Sequence, residues 1–228
     1  QLILLNQVLK SGMAQINVDL SFDDSGKIKS NYSLTGKISN AELRIPKNKN
    51  IKELNFNFTV YDNNYKFEKI LFKFKTIKFN SKFINIQQKN DKFFVKGNLK
   101  NKKNKISSDL ILLVFNNNLE NFDFSNTKFD SISEFTFDLS KKFKIRNLKV
   151  DSKLNLDKLI LKYDLYKIKN YIKNYKSLIN LKENKIHINY SEEKVLIDGS
   201  SEFSIDENFE NLIQFQIEKS KNIMNFET

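Results

Sequence analysis

The heptapeptide Leu54-Asn55-Phe56-Asn57-Phe58-Thr59-Val60 alternates apolar and polar side chains at every position. Successive side chains of a β-strand point to opposite faces, so this stretch predicts a strand with one apolar and one polar face. Similar stretches recur about every ten residues, separated by turns rich in Asn and Asp, among them those predicted at 62–64, 89–91 and 101–104. This spacing predicts roughly 15 strands arranged as a meander. What covers the shared apolar face therefore becomes the central question about function.

Composition sets limits on both fold and partners. With 228 residues and 39% hydrophobic content the chain can build a folded core, which excludes a disordered protein. The net charge of +12 attracts anionic lipid headgroups, lipopolysaccharide phosphates or nucleic acid, but a solvated lysine coat is the favoured explanation. The lack of cysteine excludes disulfides and thiol chemistry.

Two segments depart from the strand pattern. Residues 2–10 place four apolar side chains on one helical face, with Gly12 as the stop, and residues 163–175 repeat apolar residues every three to four positions. We therefore predict a short N-terminal helix and one amphipathic helix near 163–175.

The two predicted helices divide the chain. Residues 1–160 form a β-groove segment with the N-terminal helix, and residues 161–228 form the amphipathic helix and the continuing groove strands. The chain begins at Gln1 rather than Met and ends within a strand pattern, so we expect one continuous segment of a longer protein.

Glycine is scarce, and three of the five glycines lie within alternating stretches. A glycine in the middle of a strand often marks a bulge or a bend. We therefore predict structural bends at Gly36, Gly97 and Gly199.

No catalytic or metal-binding pattern is present. The only histidine, His187, lies in an alternating stretch and is expected on a strand surface. Any Ser-His-Asp arrangement would have to use this residue. The sequence has no zinc-peptidase, thiol-pair, dinucleotide or phosphate-loop motif. We predict that the chain is not an enzyme, that it has no catalytic residues, and that it uses neither cofactor nor metal.

Lysine and phenylalanine interleave around Phe72 and Phe74, which raises the possibility of a platform for single-stranded nucleic acid. Strict alternation puts the rings and the charges on opposite faces of the strand, whereas a stacking platform needs them together. We therefore expect no nucleic-acid partner.

A single antiparallel sheet of about 15 strands at ~4.8 Å spacing would be ~70 Å wide, which favours curling or splitting. The predicted fold is mainly β: a long, curved antiparallel meander that forms an open groove lined with apolar side chains. Such a groove is wide enough for acyl chains. The predicted lipid-binding residues are Leu54, Phe56, Phe58, Val60, Ile70, Phe72, Phe74, Phe93, Val95, Leu99, Phe135, Phe137, Val195, Ile197 and Phe215.

The arrangement of strands and glycines resembles a known family. The resemblance lies in residues 32–41, 54–60 and 93–99 and in the C-terminal block over 171–219. These stretches resemble the AsmA-like family of the Gram-negative envelope, which includes AsmA, TamB and YhdP, and they are most similar to the YhdP branch. In that family an N-terminal helix anchors a β-groove in the inner membrane, and the groove carries phospholipid across the periplasm.

The resemblance implies a function. The chain would be a segment of an envelope-spanning, lipid-conducting protein that holds phospholipid acyl chains in transfer between inner and outer membrane. It would lie in the periplasm, anchored to the inner membrane, and would reach both membranes through regions outside this segment. The alternative is a structural β-sandwich or scaffold domain of an envelope protein with no lipid cargo, in which the same residues form a dry core.

Overall fold

The computed structural model describes residues 9–29, 32–45, 49–106, 122–124, 126–142, 144–162, 178–204, 211–220 and 224–227. In these ranges the chain is mainly β, as predicted, and the strands form one open antiparallel sheet in the order β1 to β13, with the short β7 paired to β9 off this path. The strands are β1 (Leu9–Asp19), β2 (Ser33–Ile45), β3 (Lys49–Tyr61), β4 (Asn64–Phe74), β5 (Ile77–Lys89), β6 (Lys92–Lys105), β7 (Phe122–Asp123), β8 (Lys128–Ser140), β9 (Ile145–Lys162), β10 (Leu178–Tyr190), β11 (Lys194–Ser204), β12 (Asn211–Ser220) and β13 (Met224–Glu227).

The chain divides into two compact units. Unit 1 comprises residues 1–101 and 133–150, and unit 2 comprises residues 102–132 and 151–228. Each unit is therefore built from two separate stretches of sequence. The boundaries fall inside β6, β8 and β9 rather than in turns between strands.

Tight turns connect the first strands of the meander. Asp62 and Asn63 both adopt left-handed backbone, with φ of 43° and 60°, and join β3 to β4 as predicted. Such paired left-handed residues match the twist of a hairpin. Asn90 likewise turns the chain from β5 into β6, with φ 52°. The predicted turn over residues 101–104 is wrong, because these residues continue β6.

The register of β2 to β5 brings the predicted apolar residues onto one face. Ile38 lies opposite Phe56, Phe58 opposite Phe67, and Phe67 opposite Ile84. Residues directly opposite each other in a sheet share a face, so these pairs form one continuous apolar surface in unit 1.

Three left-handed residues interrupt this regular alternation. Asn40, Glu53 and Lys69 have φ of 49°, 52° and 51° in the interiors of β2, β3 and β4, at the places where the pairing register shifts. Each inserts one extra residue, and the shifts on neighbouring strands compensate, so register is regained on the far side. The apolar side chains before and after each bulge therefore face the same way.

A small core forms at these bulges. The residue after each one is buried, and Ala41, Leu54 and Ile70 form one cluster with exposures of 1%, 7% and 5%. We call these three residues the bulge row. Apolar side chains from both sides of the bulges pack against it: Ile38, Phe56, Phe67 and Ile84 from one side, and Leu43, Ile51 and Phe72 from the other.

The predicted bend positions lie next to aromatic rings. Gly36, Gly97 and Gly199 occupy paired ladder positions, and the left-handed residues lie elsewhere. Instead, each glycine lies beneath a phenylalanine ring of a neighbouring strand. A Cβ at these positions would approach the rings of Phe58, Phe135 and Phe215 to 2.7, 2.7 and 2.6 Å. These glycines therefore make space for aromatic side chains on the apolar face.

We expect Gly36→Ala to destabilise unit 1 by about 1 to 3 kcal/mol, because a Cβ there would also meet the backbone carbonyl oxygen of Gln15 at 2.4 Å. Gly97→Ala is the matched control, since its nearest neighbours are side chains that can move, Phe135 and Ile84. Urea unfolding of the two variants measures the difference. Equal losses of stability would contradict this reading of Gly36.

The N-terminal helix prediction also needs correction where the structure describes it. Leu9 and Lys10 lie in β1, not in a helix, and Gly12 lies inside that strand with φ 140°. Gly12 is required there because a Cβ would come within 2.8 Å of the Ala41 Cβ. The rest of that prediction, and the amphipathic helix at 163–175, lie outside the described residues.

Candidate functional site

The candidate site is the apolar face of the sheet. In unit 1, Leu54, Ile70 and Val95 are buried, with exposures of 7%, 5% and 3%. The other predicted lipid-binding residues of this unit are half-buried: Phe56, Phe58, Val60, Phe72, Phe74, Phe93, Leu99, Phe135 and Phe137. Large apolar side chains therefore remain accessible along this face.

Aromatic contacts order the face. The Phe56 and Phe67 rings meet edge to face, with centroids 5.5 Å apart, and Phe72 stacks on Phe79 at 5.3 Å. Phe135 and Phe137, two residues apart on β8, stack at 6.1 Å. Such pairs add to the stability of the packing beyond the area that they bury, so the rings present a preformed surface.

In unit 2 the predicted residues again share one face. Ile197 lies between Ile188 on β10 and Ile217 on β12, and Val195 lies opposite Tyr190. Phe215 lies opposite Gly199. The predicted residues of each unit are therefore brought together on that unit's apolar face.

Sequence reasoning missed several residues of the face in unit 1. Phe67 and Ile84 pack against the bulge row, and Phe79 stacks on Phe72, but none was predicted. On β4 the apolar residues Tyr65 and Phe67 are odd-numbered, whereas Ile70, Phe72 and Phe74 are even-numbered. The change of parity across Lys69 was the available signal for a bulge.

Side chains on the polar face cap the bulged backbone. The Asn40 amide donates to Asn55 Oδ1 at 3.0 Å, and the Lys82 amide donates to Asn98 Oδ1 at 2.9 Å. Asn55 also donates through Nδ2 to the Glu53 carbonyl oxygen at 2.7 Å. A bulge frees backbone groups from the ladder, and these asparagines satisfy them.

The same arrangement recurs in unit 2 with aspartate. Asp130 Oδ1 accepts the Lys103 amide, and Asp157 Oδ1 accepts the Lys128 amide at 2.7 Å. The four capping residues are Asn55, Asn98, Asp130 and Asp157, and each directly follows a buried residue and caps a residue of the preceding long strand. We call them the Asx caps.

Two exposed carboxylates outside the strands have lowered pKa values. The Lys141 ammonium donates to Asp91 and holds the pKa of that carboxyl below its ordinary value. In the turn after β1, hydrogen bonds from Ser25 and Lys27 lower the pKa of Asp23. Both carboxylates are fully exposed, so their effect on stability is small.

His187 lies on the polar face of unit 2, a third exposed, as predicted for a strand-surface residue. Its Nε2 is 3.1 Å from Asp151 Oδ2, and its Nδ1 is 3.4 Å from Asp198 Oδ1. Each ring nitrogen therefore faces a carboxylate. Within the described ranges no group of three His, Cys, Asp or Glu side chains is placed to hold a metal ion.

The apolar face of unit 2 contains a buried polar pair. Asn184 and Ser201 are both 5% exposed, and the Ser201 hydroxyl donates to Asn184 Oδ1 at 2.8 Å. Asn184 Nδ2 lies 3.2 Å from the Leu156 carbonyl oxygen and 3.4 Å from that of Leu181. Asn184 follows the left-handed Glu183, so the pair marks the bulge of β10.

In the part of the chain that the structure describes, we find no helix of the length and apolarity required to cross a bilayer. Comparisons with known proteins give no relative: no family model, no curated protein and no solved structure matches the chain.

Proposed function

We propose that the apolar face of this sheet binds the acyl chains of phospholipids, and that the chain is a lipid-conducting segment of an envelope protein of the AsmA-like kind. The observation that carries the proposal is the row of half-buried aromatic and aliphatic side chains on one face of unit 1. A large accessible apolar surface marks a binding site for an apolar ligand, a protein partner or a membrane.

The dimensions suit an acyl chain. The seven residues from Leu54 to Val60 extend over ~20 Å at the rise of a β-strand. An acyl chain in one leaflet fills about half of a ~30 Å hydrocarbon core. One tail can therefore lie along a single strand and contact its apolar side chains throughout.

The shape of the apolar face and the net charge of the chain both fit a phospholipid. Packing of apolar side chains from both sides of the bulges against one row supports a concave surface in unit 1. The net charge of +12 supports contact with anionic headgroups in water at the edges of such a groove.

The alternative is a sandwich or scaffold domain without lipid cargo. A sandwich packs two sheets ~10 Å apart and buries whole rows of side chains between them. The described strands instead form one sheet, and eight apolar residues are buried in the described ranges. This favours the accessible face over the dry core.

Mass spectrometry of organic extracts from the purified chain tests the proposal. We expect phospholipid in at least equimolar amount, and we expect Phe56→Glu to abolish its retention, because an unpaired carboxylate on the face costs several kcal/mol when acyl chains cover it. The matched control is Asn57→Glu, which adds the same charge to the polar face and should retain lipid. A stable, lipid-free wild-type protein would instead support the sandwich or scaffold.

A further inference from the structure

We propose that Asn55 and Asn98 are positioning residues for acyl-chain binding, although neither side chain belongs to the apolar face. This inference rests on the proposed lipid-binding function and adds the residues that would set the geometry of the face in unit 1. Asn55 lies between Leu54 and Phe56, and Asn98 between Gly97 and Leu99, so both asparagines belong to the opposite face of the sheet.

Both asparagines accept a hydrogen bond from a backbone amide of the preceding strand. A bulge leaves a backbone amide without its ladder partner, and such an amide needs another acceptor. Asn55 Oδ1 accepts the Asn40 amide at 3.0 Å, and Asn98 Oδ1 accepts the Lys82 amide at 2.9 Å. Each asparagine therefore stabilises an irregularity on the preceding strand.

Both irregularities lie beside buried residues of the apolar face. Asn40 immediately precedes Ala41 of the bulge row, and Lys82 immediately follows Ser81, which is 3% exposed and lies opposite Ile70. Both caps therefore act beside the line against which the two sides of the apolar face pack. Without them we expect this line to straighten and the side chains on its two sides to move apart.

Capping by an Asx side chain recurs in unit 2. In unit 2, Asp130 and Asp157 cap the Lys103 and Lys128 amides, again directly after a buried residue. Four occurrences of one arrangement, on β3, β6, β8 and β9, indicate a systematic device for bending a sheet. The apolar residues supply the contacts, and the Asx caps set the angle at which those contacts are presented.

The test uses the full chain and cis-parinaric acid, a fluorescent straight-chain fatty acid. We expect the double variant Asn55→Ala/Asn98→Ala to bind the probe about tenfold more weakly than the wild type, which corresponds to ~1.4 kcal/mol. The matched control is Asn57→Ala/Asn85→Ala, which removes two polar-face asparagines at paired positions of β3 and β5. The control should bind like the wild type.

Two further measurements separate positioning from general stability. Hydrogen exchange of the Asn40 and Lys82 amides should accelerate in the double variant and not in its control, while circular dichroism shows both proteins folded. Asn98→Asp, which keeps an acceptor oxygen, should bind like the wild type. If the double variant does not fold, Asn98→Ala alone carries the comparison against Asn98→Asp.

The outcomes are distinct. Faster amide exchange with unchanged probe binding overturns the positioning role and leaves the proposed lipid-binding function intact. A wild-type chain that does not bind the probe overturns the proposed function and the positioning role together, while the exchange data still report whether the caps hold the bulges. Weaker binding of the double variant alone supports both proposals.

Discussion

Ile70→Asp is expected to destabilise unit 1 by at least ~3 kcal/mol at neutral pH. The substitution removes a 5%-exposed aliphatic side chain from the β4 end of the bulge row. It also places a carboxylate among the apolar side chains of Ala41, Leu54, Phe67 and Phe72. Loss of a buried Ile alone costs about 2 to 5 kcal/mol, and burial of an unpaired charge adds to that. Urea unfolding of the purified chain measures the loss.

The neighbouring residue provides the control. Leu71 lies on the opposite face of β4 and is 54% exposed, so Leu71→Asp introduces the same charge one position away at little cost. The two variants have equal net charge. A similar loss of stability in both would mean that the bulge row is not the core of unit 1.

Alternation in the sequence was sufficient to predict the strands and their faces. A heptapeptide such as 54–60 has only one way of hiding its apolar side chains, and the turn at Asp62 and Asn63 has side chains that favour left-handed backbone. Both are local properties, so both could be deduced without knowledge of the rest of the chain. The single sheet, with sequential strands as neighbours, follows from the shortness of these turns.

The bulges could not be placed with the same rules. A change of parity, as between Phe67 and Ile70, looks the same in a sequence as the end of one strand and the start of another. The stretch from Asn101 to Asn104 illustrates the error, because its asparagines were interpreted as a turn although they continue β6. Asn101 is 1% exposed there. Whether an asparagine turns the chain or continues a strand depends on its neighbours across the sheet, and the sequence does not give the register.

The candidate site was predictable to the same extent. The residues of the regular stretches, such as Phe56 and Phe58, were assigned to the apolar face because their own alternation identifies it. Phe79 and Ile84 were missed because their place depends on a register shift between β5 and β6. The Asx caps were missed for a related reason, since a polar residue on a polar face gives no signal by itself.

The bulge of β10 differs from the bulge row in its chemistry, which leads to a second large effect. Where unit 1 has Ala41, Leu54 and Ile70, unit 2 has the hydrogen-bonded pair Asn184 and Ser201, each 5% exposed. We expect Asn184→Ala to destabilise unit 2 by about 1 to 3 kcal/mol, because it leaves the Leu156 carbonyl oxygen buried without this donor and opens a cavity. Thermal or urea unfolding gives the value.

A double-mutant cycle with Ser201→Ala tests whether the two side chains act together. Ser201 Oγ also lies 3.3 Å from the Lys182 carbonyl oxygen and 3.2 Å from that of Glu202, so its hydroxyl keeps other partners when Asn184 is lost. We therefore expect Ser201→Ala to cost less than Asn184→Ala, and we expect a coupling of about 0.5 to 1.5 kcal/mol between them. Additive losses would show that the 2.8 Å hydrogen bond contributes nothing to the bulge. A measurable coupling would mean that this bulge is held by polar groups, since a hydrogen-bonded pair tolerates fewer registers than an apolar contact does.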